Sequence, residues 1–111
     1  MLFMIVEDFT KSDIADIYRH LRDRGRGIPD GLTYHASWIS ADLTTCYQLM
    51  ETDDATLLQR WTMHWRNLAG ITIVPVTASK EVQGVVGPYL VRPVGTPTKL
   101  PRPRPSSWGT A

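Results

Sequence analysis

Three side chains of types that can do chemistry, His35, Cys46 and Gln48, fall on two adjacent extended segments of the chain. A cysteine beside an imidazole can act as a thiolate nucleophile, because the imidazole lowers the pKa of the thiol. The alternative is a small buried thiol and a hydrogen-bonded histidine, since cysteine is among the most buried residue types whatever its role. An amide in mid-strand needs hydrogen-bond partners, so Gln48 is the better anchor for a ligand or a partner subunit.

Other polar groups carry weaker signals. Glu7 ends the first apolar run and could act as a general base in a pocket that raised its pKa, but a solvated strand-end carboxylate is expected. No pair among the possible metal ligands has the spacing of a metal site, so neither a metal nor a cofactor is predicted. Those ligands lie on four different elements: His20, His35, His64 and Cys46. A run of arginines should complement the negative end of the first helix: Arg19, Arg22, Arg24 and Arg26.

Aromatic residues could form a stacking platform for a flat ligand. Trp61 and Trp65, however, are four residues apart on an amphipathic stripe, which favours core packing. The same expectation extends to Trp38, Tyr34 and Tyr47.

The elements that hold these residues follow a β-α-β-β-α-β order. Apolar runs predict strands over residues 2–7, 32–39, 44–51 and 71–77. The first helix should carry its apolar face on Ile14, Ile17, Tyr18 and Leu21, with Thr10 or Ser12 as its cap. The second should carry Leu57, Leu58, Trp61, Trp65 and Leu68, with Thr52 or Asp53 as its cap. This order predicts an α+β, ferredoxin-like sandwich: a four-stranded antiparallel sheet with both helices on one face. Pro75 predicts that the fourth strand lies at an edge.

The predicted hairpin sorts its residues into two faces. A loop over residues 40–43 would pair Ile39 with Thr44. The apolar set then suits the helix side: Tyr34, Ala36, Trp38, Tyr47 and Leu49. The mixed polar set suits a cleft beneath a partner sheet: Thr33, His35, Ser37, Cys46, Gln48 and Met50. A one-residue slip is the alternative, and it would put Trp38 beside Gln48 and Cys46. The predicted ligand-binding residues are His35, Ser37, Cys46, Gln48, Met50 and Glu7.

The composition of the chain limits the classes of function that are open to it. The chain has 111 residues, 42% hydrophobic and 21% charged, as expected of one soluble domain. A net charge of +1 gives no field to recruit nucleic acid or a membrane. A single cysteine excludes an internal disulfide and suits the cytoplasm, and the apolar start is too short to span a bilayer. All acidic residues lie at or before Glu81, whereas six of the eight prolines follow it. We therefore expect the domain over residues 1–82 and a Pro-rich, basic, partly disordered tail over residues 83–111.

Several short motifs together point to a family. The most specific is Cys-Tyr-Gln-Leu-Met-Glu-Thr-Asp-Asp at residues 46–54, supported by residues 1–4, 24–26, 29–32, Ser37-Trp38, Trp61 and Trp65. Over about residues 1–80 the chain resembles a small bacterial domain-of-unknown-function family, number thirty-three-oh-three in that series. The resemblance implies a compact α+β domain similar to dimeric α/β barrels, a fold group that includes cofactor-free oxygenases, isomerases and binding proteins. It implies no catalytic residue, and a fold alone does not supply a function.

Two functional hypotheses follow. Two helices on one face would leave the other sheet face bare and half apolar, which implies a partner. The first hypothesis is a homodimeric binding module that closes two sheets face to face around a small-ligand cleft. The alternative is a cofactor-free enzyme, of oxygenase or isomerase type, that uses the same cleft.

Overall fold

The computed structural model describes residues 1–91, and their element order confirms the ferredoxin-like α+β fold. The strands are β1 (Leu2–Asp8), β2 (Thr33–Ile39), β3 (Thr45–Glu51) and β4 (Gly70–Val76). The helices between them are α1 (Ile14–Arg24) and α2 (Ala55–Trp65). Neighbouring strands are antiparallel in the order β2-β3-β1-β4, so the edge position predicted for the fourth strand is confirmed.

Both α1 and α2 begin after an aspartate. Asp13 and Asp54 each accept a hydrogen bond from the backbone N–H two residues on, at 2.9 Å. Such a bond satisfies one of the free N–H groups of the first turn. The predicted caps were therefore one to three residues early: Thr10 or Ser12 for α1, and Thr52 or Asp53 for α2. Gly25 ends α1, with a positive φ of 69° that suits glycine.

One side of the sheet, called here the helix side, packs against both helices. Ile5 of β1 and Met50 of β3 are wholly buried there. Ile17 of α1 and Trp61 and Trp65 of α2 are at most 6% exposed and belong to the same cluster. The predicted amphipathic stripes thus face the core, except that Tyr18 of the first stripe is 49% exposed. The expected core packing of Trp61 and Trp65 is confirmed.

The β2–β3 hairpin lies in a different register from the predicted one. Ile39 pairs with Cys46 rather than with Thr44, and the Ser40 N–H donates to the Thr45 carbonyl at 2.8 Å. The loop therefore covers residues 41–44, where Leu43 takes a left-handed φ of 65°. The loop is shifted by one residue in both strands, so residues 36–39 still share their faces with the residues of β3 that were predicted.

A β-bulge interrupts β2 between Tyr34 and Ala36. The bulge adds one residue, His35, so the side chains before it lie on the face opposite to the predicted one. Tyr34 consequently pairs with Met50 on the helix side. The predicted set of Tyr34, Ala36 and Trp38 on a single face is wrong for this reason.

The predicted choice of face toward the helices is also wrong. Gln48 and Met50 lie on the helix side, whereas Trp38 and Tyr47 lie on the opposite side, called here the open side. Trp38 is 54% exposed and Tyr47 is 41% exposed. The expectation that these two residues pack in the core is therefore wrong. A hydrophobic pattern marks a face as apolar without saying which layer covers it.

The contacts divide the chain into one unit over Met1–Val76 and a second from Thr77 on. Within the second unit, a helix α3 (Ser79–Val86) that was not predicted is followed by a short 3-10 helix (Gly87–Leu90). The predicted tail over residues 83–111 begins inside α3, and its residues 92–111 lie outside the described residues. No helix within residues 1–91 has the length and apolar character needed to cross a bilayer.

Candidate functional site

A cavity of about 100 Å³ lies between the helix side of the sheet and the two helices. Its polar lining comes from the sheet and from the segment that precedes β2: Glu7, Arg26, Ser37, Cys46 and Gln48. Its apolar lining comes from the end of β1 and from the helices: Phe9, Ile17, Tyr18, Leu21, Trp61 and Trp65. The cavity thus combines a few convergent polar groups with aromatic walls, as small-molecule sites do.

Glu7 is the titratable group at the centre of this polar lining. It is 4% exposed and accepts a hydrogen bond from Gln48 Nε2 at Oε1, 2.7 Å away. Burial raises the pKa of Glu7 to about 7, although hydrogen bonds from Cys46 and Gln48 and the charge of Arg26 oppose the rise. The expectation of a solvated carboxylate is therefore wrong. Glu7 can take up or release a proton near neutral pH.

Gln48 presents a free hydrogen-bond acceptor beside Glu7. Its side chain is 7% exposed, and within residues 1–91 its Oε1 is buried without a partner. An ionised carboxylate can only accept hydrogen bonds, so the amide of Gln48 must turn its Nε2 toward Glu7. Its Oε1 is then left without a hydrogen-bond partner. A buried carbonyl without a hydrogen bond costs about 1–3 kcal/mol. A ligand that donates a hydrogen bond would remove this cost.

The predicted pairing of His35 with Cys46 does not form. His35 Nε2 lies 2.8 Å from Glu51 Oε1, whereas Cys46 lines the cavity on the helix side. Burial, followed by the charge and hydrogen bond of Glu7, raises the pKa of Cys46 to about 12. Such a thiol does not supply a thiolate nucleophile at neutral pH.

The structure brings four of the six predicted ligand-binding residues together. Glu7, Ser37, Cys46 and Gln48 line one cavity, within one protomer rather than beneath a partner sheet. Met50 is buried in the core, and His35 lies at the bulge. Ligand binding by these residues stays a prediction.

Arg26 lines the cavity, whereas the sequence predicts it only as one of the arginines at the end of the first helix. Its carbonyl oxygen accepts the indole N–H of Trp61 at 3.0 Å and of Trp65 at 2.8 Å. Its guanidinium stacks 4.2 Å from the centre of the Tyr34 ring. The available signal was its position beyond Gly25, which ends α1.

A histidine pair lies outside the cavity and was not predicted either. The Nε2 atoms of His20 on α1 and His64 on α2 are 3.1 Å apart, so one ring donates to the other. Both rings also contact Trp65 at centroid distances of 4.7 and 5.4 Å. Within residues 1–91 no three metal-ligating side chains come together. The pair therefore serves as a contact between the two helices.

Comparison with known proteins supplies a family. No curated protein and no solved structure matches the chain. One family model, described as Domain of unknown function (DUF3303), matches residues 1–90. The match bears out the resemblance carried by residues 46–54 and spans the whole sheet with its helices. The chain belongs to the DUF3303 family.

Proposed function

We propose that this protein is a homodimeric domain that binds a small molecule in the cavity between its sheet and its helices. The observation that carries the proposal is the buried, unpartnered carbonyl of Gln48 in a cavity it shares with Glu7. Buried polar groups in folded proteins are nearly always hydrogen-bonded, so an orphaned one at a cavity marks a place for a missing partner. A volume of about 100 Å³ corresponds to about three waters at 30 Å³ each, so the enclosed part of the ligand is small.

The dimer is proposed from the open side of the sheet. Trp38, Tyr47 and Val74 are each more than 40% exposed there, and Met4 and Leu49 lie between them. Aromatic and aliphatic residues are enriched at the centres of protein interfaces. Closing two such faces would bury the apolar surface, in an interface that ordinarily takes about 800 Å² from each partner. The cytoplasm is the proposed location, because one free cysteine suits a reducing compartment.

Native mass spectrometry of the full chain from its own host tests both parts of this proposal. The expected result is a dimer that carries a small extra mass under gentle conditions and loses it on denaturation. The mass identifies the ligand directly. A monomer without added mass, from fresh cell extract as well as after purification, would contradict the proposal.

An enzymatic role is the second candidate, and the pKa of Glu7 favours it. A general base works best when its pKa lies near the operating pH, and that of Glu7 is about 7. The proposed reaction is a cofactor-free proton transfer of the isomerase type, with Glu7 as the base. The test is to incubate the recovered ligand with the protein in D₂O and measure deuterium on its carbon atoms. Uptake with the wild type and none with Glu7→Gln would support catalysis, whereas no uptake with either leaves binding alone.

A further inference from the structure

We infer that the ligand is a small protonated amine, whose ammonium group lies between Gln48 Oε1 and the Glu7 carboxylate and whose hydrocarbon part contacts Trp61 and Trp65. This inference rests on the proposed binding function and names the chemical class of the ligand.

The strands that line the cavity present an acceptor that lacks a donor. Gln48 Oε1 has no donor within residues 1–91. Ser37 is already engaged, since its hydroxyl lies 2.6 Å from that of Tyr34. The N–H group of Gln48 and the thiol of Cys46 are both directed at Glu7. A carboxylate or phosphate ligand would have to take its donors from the Arg26 guanidinium, whereas an ammonium group supplies three donors to Gln48 Oε1 and Glu7.

The charge of the cavity agrees with a cation. When Glu7 is ionised, it is a buried charge, and buried charges are normally paired. The charge of Arg26 acts on Glu7, but within residues 1–91 the two form no ion pair, since the Arg26 guanidinium stacks on Tyr34. The other titratable groups of the lining are Cys46 from β3 and Tyr18 from α1, and α2 contributes tryptophans alone. An ammonium group would complete the pair with charge-assisted hydrogen bonds.

The walls suit a cation with a short apolar body. Trp61 and Trp65 offer the hydrocarbon part of the ligand a large apolar surface. Both indoles are held in place by their bonds to the Arg26 carbonyl. The volume is smaller than that of a cavity of about 150 Å³ that binds benzene, so about four non-hydrogen atoms fit inside.

Three probes with three carbon atoms each distinguish the chemistries: n-propylamine, 1-propanol and propionate. The full chain, labelled with ¹⁵N, is titrated with each at pH 6 and pH 8, and the indole N–H signals of Trp61 and Trp65 are followed. Trp38 on the open side is the internal control. We expect n-propylamine to bind about tenfold more tightly than 1-propanol at pH 8, because its hydrogen bonds are charge-assisted.

The pH dependence supplies a second readout. Glu7, with a pKa of about 7, is mostly ionised at pH 8 and mostly neutral at pH 6, while the amine stays protonated at both. The affinity for n-propylamine should therefore fall about tenfold from pH 8 to pH 6. Glu7→Gln should remove this dependence, and Glu51→Gln, at an exposed carboxylate on the open side, should keep it.

The outcomes separate this inference from the proposed function. Binding of propionate or 1-propanol as tight as that of n-propylamine at pH 8 would overturn the amine and leave a small-ligand site. Unchanged Trp61 and Trp65 signals with all three probes would overturn both. The comparison among probes uses the wild type, so it holds even if Glu7→Gln fails to fold.

Discussion

Glu7 owes its properties to one structural fact, its place on the helix side of a central strand. Ile5 and Glu7 point the same way from β1, so the pleat that buries the first also buries the second. Burial favours the neutral carboxyl group and outweighs both the charge of Arg26 and two hydrogen-bond donors, which is why the pKa of Glu7 rises. The strand therefore carries a titratable group into the interior.

Replacing Glu7 should change the pH dependence of stability. Folding raises the pKa of Glu7 from an ordinary 4.5 to about 7. Between these two pH values Glu7 is protonated in the folded state and ionised in the unfolded state. The stability that the neutral form provides is complete below pH 4.5 and is lost as pH rises through 7. Relative to Glu7→Gln, the wild type should lose about 3 kcal/mol of unfolding free energy across this range. Urea denaturation at pH 5 and pH 8 measures the change, and Glu51→Gln, the control, should follow the wild type.

Removing the amide of Gln48 should move the pKa of Glu7 upward. Gln48→Leu takes away the N–H that bonds Glu7 Oε1 and stabilises its charged form. A ¹³C NMR titration of the Glu7 carboxyl carbon measures the pKa. Ser37→Ala is the matched control, because Ser37 lines the same cavity but bonds Tyr34. A lower pKa in Gln48→Leu than in the wild type would show that this bond does not act on Glu7.

The four strands, α1 and α2 follow from sequence periodicity, whereas α3 and the choice of the sheet face that meets the helices do not. Because side chains alternate along β3, Tyr47 and Leu49 lie on one face and Gln48 and Met50 on the other. The alternation does not say which of the two faces meets the helices. The more apolar set was assigned to the core, whereas the structure leaves it on the open side and lines the cavity with the polar set. The bulge at His35 carries no signal in local composition, so the change of face at Tyr34 could not be predicted.

Two glycines in the segment after α1 test how tightly that segment is packed. Gly25 and Gly27 share a φ of 69°, so alanine at either costs about 1–2 kcal/mol of backbone strain. A Cβ at Gly27 would also lie 2.5 Å from a ring atom of His64, whereas nothing lies within 4 Å at Gly25. Gly27→Ala should therefore cost about 1–3 kcal/mol more than Gly25→Ala in urea denaturation. It alone should shift the His64 ring signals in NMR spectra; equal losses with unshifted signals would contradict the close packing.

Assembly is a property of the whole molecule, and one side chain on the open side should control it. Trp38→Glu places a charge in the centre of the proposed interface, where an unpaired buried charge is costly. The wild type should elute as a dimer in size-exclusion chromatography with light scattering, and Trp38→Glu as a monomer at the same concentration. Met63→Glu is the control, because Met63 is 60% exposed on α2, away from the sheet. A dimer that tolerates Trp38→Glu but not Met63→Glu would place the interface on the helices.

The two edges of the sheet also bear on how the protein behaves at high concentration. Edge strands offer free N–H and C=O groups on which further chains can add and grow into fibrils. Here one edge, β2, is broken by a bulge, and the other, β4, carries Pro75, which has no N–H to donate. Concentrated solutions should therefore stay clear rather than form amyloid. Pro75→Val, which restores the missing donor, should shorten the lag before thioflavin T fluorescence rises, whereas the exposed-site control Thr72→Val keeps the proline and should leave that lag unchanged.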